Sequence, residues 1–199
     1  MIVLILSALV IGIGMAFFNL TPPGLINYID SILRFLLIIL LFLVGIDIGT
    51  NKKAIFGLKK MGFRILLIPA VIIAGSLTGG LLLSFFINFS IFKSLAIASG
   101  MGYYTLSSII LTQMVGSELG TMAFLSNIIR EILTIIITPF ISKKSQLSPI
   151  AAGGATSMDT TLPVIVRFTS KTVGLISIIS GVIITFLVPL LVTFFAGLI

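Results

Sequence analysis

Gly153-Gly154-Ala155-Thr156-Ser157-Met158-Asp159-Thr160-Thr161-Leu162-Pro163 is the stretch on which the fold turns. Paired glycines, a run of short hydroxyl side chains and a following proline interrupt a helix rather than continue it. The segments around the stretch are apolar enough to lie in a membrane, where irregular backbone is tolerated only if protein or a water-filled cavity surrounds it. An aspartate near the bilayer centre costs about 2.5 to 3.5 kcal/mol. Asp159 is therefore expected to carry a function, with a transported cation as its ligand, and Thr156, Ser157 and Thr160 surround it with hydroxyl groups. The structural alternative is a carboxylate bonded to backbone N–H groups at a helix start, with Thr156 and Ser157 as local caps. The two roles are compatible, because a broken helix leaves N–H groups that attract anions and carbonyls that attract cations.

The composition makes the surroundings of this stretch a membrane. Of 199 residues, 58% are hydrophobic and 9% charged, and the mean hydropathy is +1.34. Several apolar runs reach the roughly 20 residues that a helix needs to cross a bilayer. The first, Met1 to Leu20, has no basic leader and no small-residue cleavage site before Thr21-Pro22-Pro23, so a retained helix is expected rather than a signal peptide. Without Cys or His the chain has no zinc site of ordinary type and no thiol or imidazole nucleophile. Catalysis would rest on five carboxylates. Gly45-Ile46-Asp47 falls short of the Gly-x-Gly-Asp pattern of intramembrane aspartyl proteases. The sequence predicts no enzyme, cofactor or metal. The net charge of +7 is divided among short loops, with no basic face for nucleic acid.

Apolar windows separated by polar, Pro or Gly breaks predict helices at about 1–20, 31–49, 64–87, 119–140 and 173–198, with small-residue segments at 93–117 and 147–168. Lys52, Lys53, Lys59, Lys60 and Arg64 place the loop after the second helix in the cytoplasm. Lys143, Lys144, Arg167 and Lys171 belong on the same side, and they reach it if 93–117 dips in from outside and returns. By the same logic 147–168 is a hairpin from the cytoplasm. The expected fold is an all-α polytopic membrane protein with about five full crossings and two oppositely oriented re-entrant or broken segments, N-terminus inside and C-terminus outside. It forms one transporter domain over 1–199, with scaffold-like helices in 1–63 and an inverted-repeat core in 64–199. Seven complete spans is the main alternative.

The two small-residue segments resemble each other. With Leu106 against Leu162, Tyr103-Tyr104-Thr105-Leu106-Ser107-Ser108-Ile109-Ile110 aligns weakly with Asp159-Thr160-Thr161-Leu162-Pro163-Val164-Ile165-Val166. Tyr103 and Thr105 thereby join the candidate binding residues. Opposite sidedness and this likeness together suggest an inverted repeat, whose site lies where broken-helix ends converge. The helix at 119–140 carries Asn127, Arg130 and Glu131. Asn127 and Glu131 share a face, while Arg130 and Glu131 lie about 100° apart and cannot point at one spot. They either line the cavity, or form an interhelical ion pair or a capped charge that fixes packing. Asp47 is a candidate coupling residue, or an interfacial one neutralised by Lys52 or Lys53.

Four ordered blocks now carry a resemblance: Leu40-Leu41-Phe42-Leu43-Val44-Gly45-Ile46, Ala98-Ser99-Gly100-Met101-Gly102-Tyr103-Tyr104-Thr105-Leu106-Ser107, Ala123-Phe124-Leu125-Ser126-Asn127-Ile128-Ile129-Arg130-Glu131, and Gly154-Ala155-Thr156-Ser157-Met158-Asp159-Thr160-Thr161-Leu162-Pro163-Val164. Together they resemble the prokaryotic LysO-type lysine exporters, matching the C-terminal two-thirds of longer members. The resemblance implies export of lysine, and of toxic analogues such as thialysine, across the cytoplasmic membrane. It assigns Asp159 as an intramembrane acidic residue implicated in transport, and includes Asn127, Arg130 and Glu131 without separate roles. Longer members have additional N-terminal helices with another acidic residue. This chain starts with its own first helix, so a homodimer or a heteromer with a small membrane subunit is expected. Gly12, Gly14 and Ala16, and Ala74-Gly75-Ser76 with Gly79-Gly80, offer close-packing surfaces for such association.

Lysine has two ammonium groups and one carboxylate. Asp159 can pair the side-chain ammonium, while Arg130 or the free N–H groups of a broken helix take the carboxylate. Proton antiport is the expected energy source, with sodium as the second option. The functional alternatives are a cation or proton channel, or a non-transporting membrane subunit of a larger complex.

Overall fold

The computed structural model describes residues 62–87 and 89–199, and before them isolated positions between Ser7 and Ile46. The expected helices at 1–20 and 31–49 are covered only by those isolated positions, and the basic loop with Lys52 to Lys60, together with Asp47, lies outside the described residues. The chain divides into two compact units, Met1–Asp47 and Ile48–Ile199. In the first, Ser7, Phe35 and Ile46 are helical. The second holds the helices that build the site.

After a 3₁₀ turn at Gly62–Leu66, the second unit runs through α1 (Leu67–Phe86), α2 (Ile91–Ala98), α3 (Tyr104–Met114), α4 (Ser117–Ile141), α5 (Ser148–Gly153), a 3₁₀ segment Gly154–Met158, α6 (Leu162–Phe168) and α7 (Lys171–Ala196). The described residues contain no strand. Among them, three helices are long and apolar enough to cross a membrane: α1, α4 and α7, of 20, 25 and 26 residues. Each expected small-residue segment is two short helices around a break. Ser99-Gly100-Met101-Gly102 interrupts the first and Gly153-Gly154 the second, while Pro163 enters α6 in its first turn, where its missing N–H costs nothing.

The long helices are built for lipid. On α7 the buried stripe Ile184, Val188, Val192 and Ala196 repeats every four residues, and so does the exposed stripe Phe186, Leu190 and Phe194, at 75%, 66% and 61% exposure. Both faces are apolar, as expected for a helix with protein on one side and acyl chains on the other. α4 reverses the pattern of a soluble helix. It buries Gly120, Asn127, Thr134 and Thr138 and exposes Leu125, Ile129, Leu133 and Phe140. Thr134 and Thr138 turn inward and donate to carbonyls one turn back, Thr134 to Arg130 at 2.8 Å and Thr138 to Thr134 at 2.6 Å. α7 packs against the 3₁₀ segment, both helices of the first broken segment, α6 and α1. With α4 it brackets the two breaks.

Candidate functional site at the crossing of the broken helices

The two breaks meet. Ala155 N–H donates to the Met101 carbonyl at 2.8 Å, so the 3₁₀ segment of the second break is bonded directly to the turn of the first. Contact this close needs backbone without side chains in the way. Gly154 has φ 63°, and a β-carbon there would run into the Met101 carbonyl oxygen, while Gly102 has φ 95° and a β-carbon would sit 2.8 Å from the Gly153 carbonyl. Met101 itself is fully buried at φ 45°, a left-handed conformation that non-glycine residues adopt at some cost.

Asn127 on α4 pins the first break. Its Oδ1 accepts the Gly102 N–H at 2.6 Å, and its Nδ2 donates to the Ala123 carbonyl at 2.8 Å and to the Ser107 hydroxyl at 3.4 Å. One helical turn further, Glu131 approaches the Thr160 hydroxyl of the second break without closing a hydrogen bond, and lies within electrostatic range of Asp159. Asn127 thus serves one break and Glu131 the other, as their shared face allows.

A cavity of about 190 Å³ opens beside the crossing, and Tyr103, Thr105, Thr156, Asp159 and Thr160 all line it. Typical small-molecule clefts run from about 300 Å³ upward, so this one suits an ion or a small, extended molecule in its present shape. Asp159 Oδ1 accepts the Thr160 N–H at 2.6 Å. The Thr160 hydroxyl is buried and has no hydrogen-bond partner among the described residues. The first turn of α3, with no side-chain cap at Tyr103, borders the same cavity. Its N–H groups offer a partial positive charge a short way from two carboxylates.

Other candidates are placed differently from the expected pattern. Thr156 and Ser157 do not accept N–H bonds as N-caps. Their hydroxyls donate to the Gly153 and Gly154 carbonyls at 3.0 and 2.6 Å, because the helix before them ends there and leaves carbonyls unpaired. Arg130 forms no ion pair with Glu131. Its Nε and Nη2 donate to the Ala152 and Ala151 carbonyls at 2.8 and 2.9 Å, away from the cavity that holds Asp159. The sequence reading missed Tyr104, which lines the cavity, stands within electrostatic range of Glu131 and Asp159, and packs edge-on against Phe124 at 5.6 Å. It sits in the aligned string opposite Thr160, which was the available signal. Thr185 of α7, also on the cavity wall, had none.

A family model described as "Lysine exporter LysO" matches residues 6–196. The lysine exporter LysO of Escherichia coli (strain K12) is 35% identical over 188 residues, which make up 94% of this chain and 62% of that protein. A Haemophilus influenzae (strain Rd) protein named "Putative lysine exporter" is 34% identical over 196 residues, 97% of either chain. The chain therefore spans less than two thirds of the length of the first relative and nearly all of the second. No solved structure matches it. With a family match over almost the whole chain, at residues that include the crossing and Asp159, this protein belongs to the LysO lysine exporter family.

Proposed function

We propose that this chain is a secondary exporter of L-lysine, and of analogues such as thialysine, across a prokaryotic cytoplasmic membrane, driven by proton antiport. The observation that carries the reading is the cavity at the crossing, which sets Asp159 beside the uncapped first turn of α3. The ammonium of lysine meets Asp159, with Glu131 adding negative charge nearby. The carboxylate meets the α3 N–H groups, so the guanidinium of Arg130 is not needed as a ligand. Thr156, Thr160, Tyr103 and Thr105 shape the wall, and Asn127 holds the first break in place. A carboxylate freed of lysine can take up a proton for the return step. Asp47 is kept as a candidate coupling residue on sequence grounds alone.

The same reading gives five crossings, with an inverted repeat over 64–199 and scaffold-like helices before it. Both aligned strings fall where a helix resumes after its break, at Tyr104 in α3 and Leu162 in α6, which supports the repeat. Single cysteines can be introduced into a chain that has none. One at Lys143 should react from the cytoplasm and one at Glu118 from outside; the reverse pattern sinks the hairpin topology. Association is part of the proposal too. Gly75 and Gly79 of α1 are exposed, a β-carbon at either would meet nothing from another element within 4 Å, and their spacing of four is the one by which small residues let membrane helices approach.

The decisive test is efflux of labelled lysine from proteoliposomes containing the purified protein. Efflux should follow an imposed pH gradient and stop with a protonophore, and dependence on a sodium gradient instead would overturn the proton assignment. Asp159→Asn keeps the size of the side chain and the acceptor oxygen for Thr160 N–H but removes the charge. It should assemble normally and lose efflux by more than about a hundredfold, since an interaction with an ion is replaced by a neutral one. Normal efflux by this variant would refute the site.

A further inference from the structure

Every helix leaves its last four carbonyls without an intrahelical donor, and inside a membrane each has to find one. In α5 the Ile150 carbonyl accepts the Gly154 N–H, and the Gly153 carbonyl accepts the Thr156 hydroxyl at 3.0 Å. The Ala151 and Ala152 carbonyls between them are taken by Arg130 at 2.9 and 2.8 Å. In α2 the Leu95 and Ile97 carbonyls accept the N–H groups of Ser99 and Gly100 at 2.9 and 3.1 Å, and Ala96 accepts the Ser99 hydroxyl at 2.7 Å. Ala98 depends on another helix. Its carbonyl accepts the Ser76 hydroxyl of α1 at 2.9 Å, and the Ser76 oxygen accepts Arg130 Nη1 at 3.1 Å.

One guanidinium therefore closes the C-terminal ends of both broken helices, one directly and one through Ser76. We propose that Arg130 and Ser76 are positioning residues for transport: they tie the two half-helix C-termini to α4 and α1 and hold the crossing in register, while substrate is left to Asp159 and Glu131. Charge supports the assignment, since the unpaired carbonyls of two helix C-termini carry partial negative charge and the guanidinium supplies compensating positive charge. Location supports it as well. Ser76, Ala98 and Arg130 border a separate cleft of about 560 Å³ between α1, α2 and α4, and none of them lines the cavity that contains Asp159. Three acceptors in fixed directions demand the planar fork of arginine, and a lysine ammonium cannot serve them together.

The transport arm of the test rests on the exporter reading, and a labelling arm does not. In proteoliposomes, Ser76→Ala should lower the maximal lysine efflux rate about tenfold with KM changed by less than about twofold, because the lost interaction orders the protein and does not touch lysine. Ser76→Thr, which restores the hydroxyl, should recover most of the rate. Arg130→Lys should fall further, again in rate rather than KM. A rise in KM for lysine in Arg130→Lys, with KM for the corresponding diamine unchanged, would make Arg130 a carboxylate ligand and overturn the proposal. Separately, Thr185→Cys places a thiol on the cavity wall, and its reaction with a cationic thiol reagent needs no transport. Adding Ser76→Ala should speed labelling by at least about threefold as the crossing loosens, and adding Ser76→Thr should not. An unchanged labelling rate in Ser76→Ala overturns the proposal. Wild-type protein that moves no lysine would defeat the exporter reading, while the labelling arm would still decide the role of Ser76.

Discussion

The first break, Ser99 to Tyr103, and the second, Gly154 to Thr161, are built from the same kinds of residues, but their polar groups are treated differently. At the first, the Gly102 N–H goes to Asn127, the Tyr103 N–H to the Gly100 carbonyl at 2.7 Å, and the Ser99 hydroxyl to Ala96. At the second, the Thr160 hydroxyl is buried beside the carboxylates of Asp159 and Glu131 without closing a hydrogen bond to either, and Asp159 is held by the N–H of its own neighbour. Buried polar groups in native proteins are nearly always satisfied, so exceptions point to a missing ligand, a water or a change of state. The contrast supports the proposed division of labour, with the first break as a fixed support and the second as the surface that a ligand would complete.

The comparison can be broken most severely at the contact between the breaks. Gly154→Ala introduces a β-carbon against the Met101 carbonyl at a left-handed φ. It should destabilise the protein by about 2 to 5 kcal/mol, adding backbone strain to overpacking. Thermal unfolding in detergent measures this, and a melting temperature equal to wild type would mean that the two breaks are not in such close contact.

Asn127→Ala probes the support alone. Loss of the side chain leaves the Gly102 N–H buried without its acceptor, at a cost of about 1 to 3 kcal/mol. Transport should fall through disorder of the first break even though Asn127 does not line the Asp159 cavity. Stability unchanged within error would remove the distinction between a satisfied and an unsatisfied break.

Thr160→Val is the mildest change and the sharpest. Because the hydroxyl closes no hydrogen bond, its removal should leave stability unchanged or raise it by about 1 kcal/mol, since an unsatisfied buried polar group is relieved. Lysine efflux should still fall several-fold, on the order of the 1 kcal/mol that one hydrogen bond to a ligand contributes. A drop in stability comparable to that of Asn127→Ala would show that the hydroxyl is already engaged in the resting protein. In that case the second break would be as closed as the first.

Much of this arrangement was legible before any coordinates. Gly100, Gly102, Gly153 and Gly154 marked both breaks, since helix interruption is a local property of backbone freedom. The angle between Arg130 and Glu131 followed from helix geometry, and the structure sends them to different partners accordingly. Asp159 stood out by its cost in lipid. Ser76 did not stand out, because a lone serine in an apolar helix looks like a packing residue until its neighbour is known. Its partner Arg130 is 54 residues away.

The sequence by itself determined that this is a helical membrane protein, where the three long helices of the described residues run, and which few polar residues had to be accounted for. Those conclusions depend on hydrophobicity and backbone propensity, which are summed along the chain and need no partner. The tertiary structure alone decided that the two breaks cross, that Asn127 holds one of them, and that Arg130 turns to helix-end carbonyls instead of the cavity. It also turned Thr156 and Ser157 from expected caps into donors to the helix end behind them. Short helices of six to eleven residues are too brief to be stable or oriented on their own, so packing against α4 and α7 sets their directions. Direction then determines which buried donors and acceptors can meet.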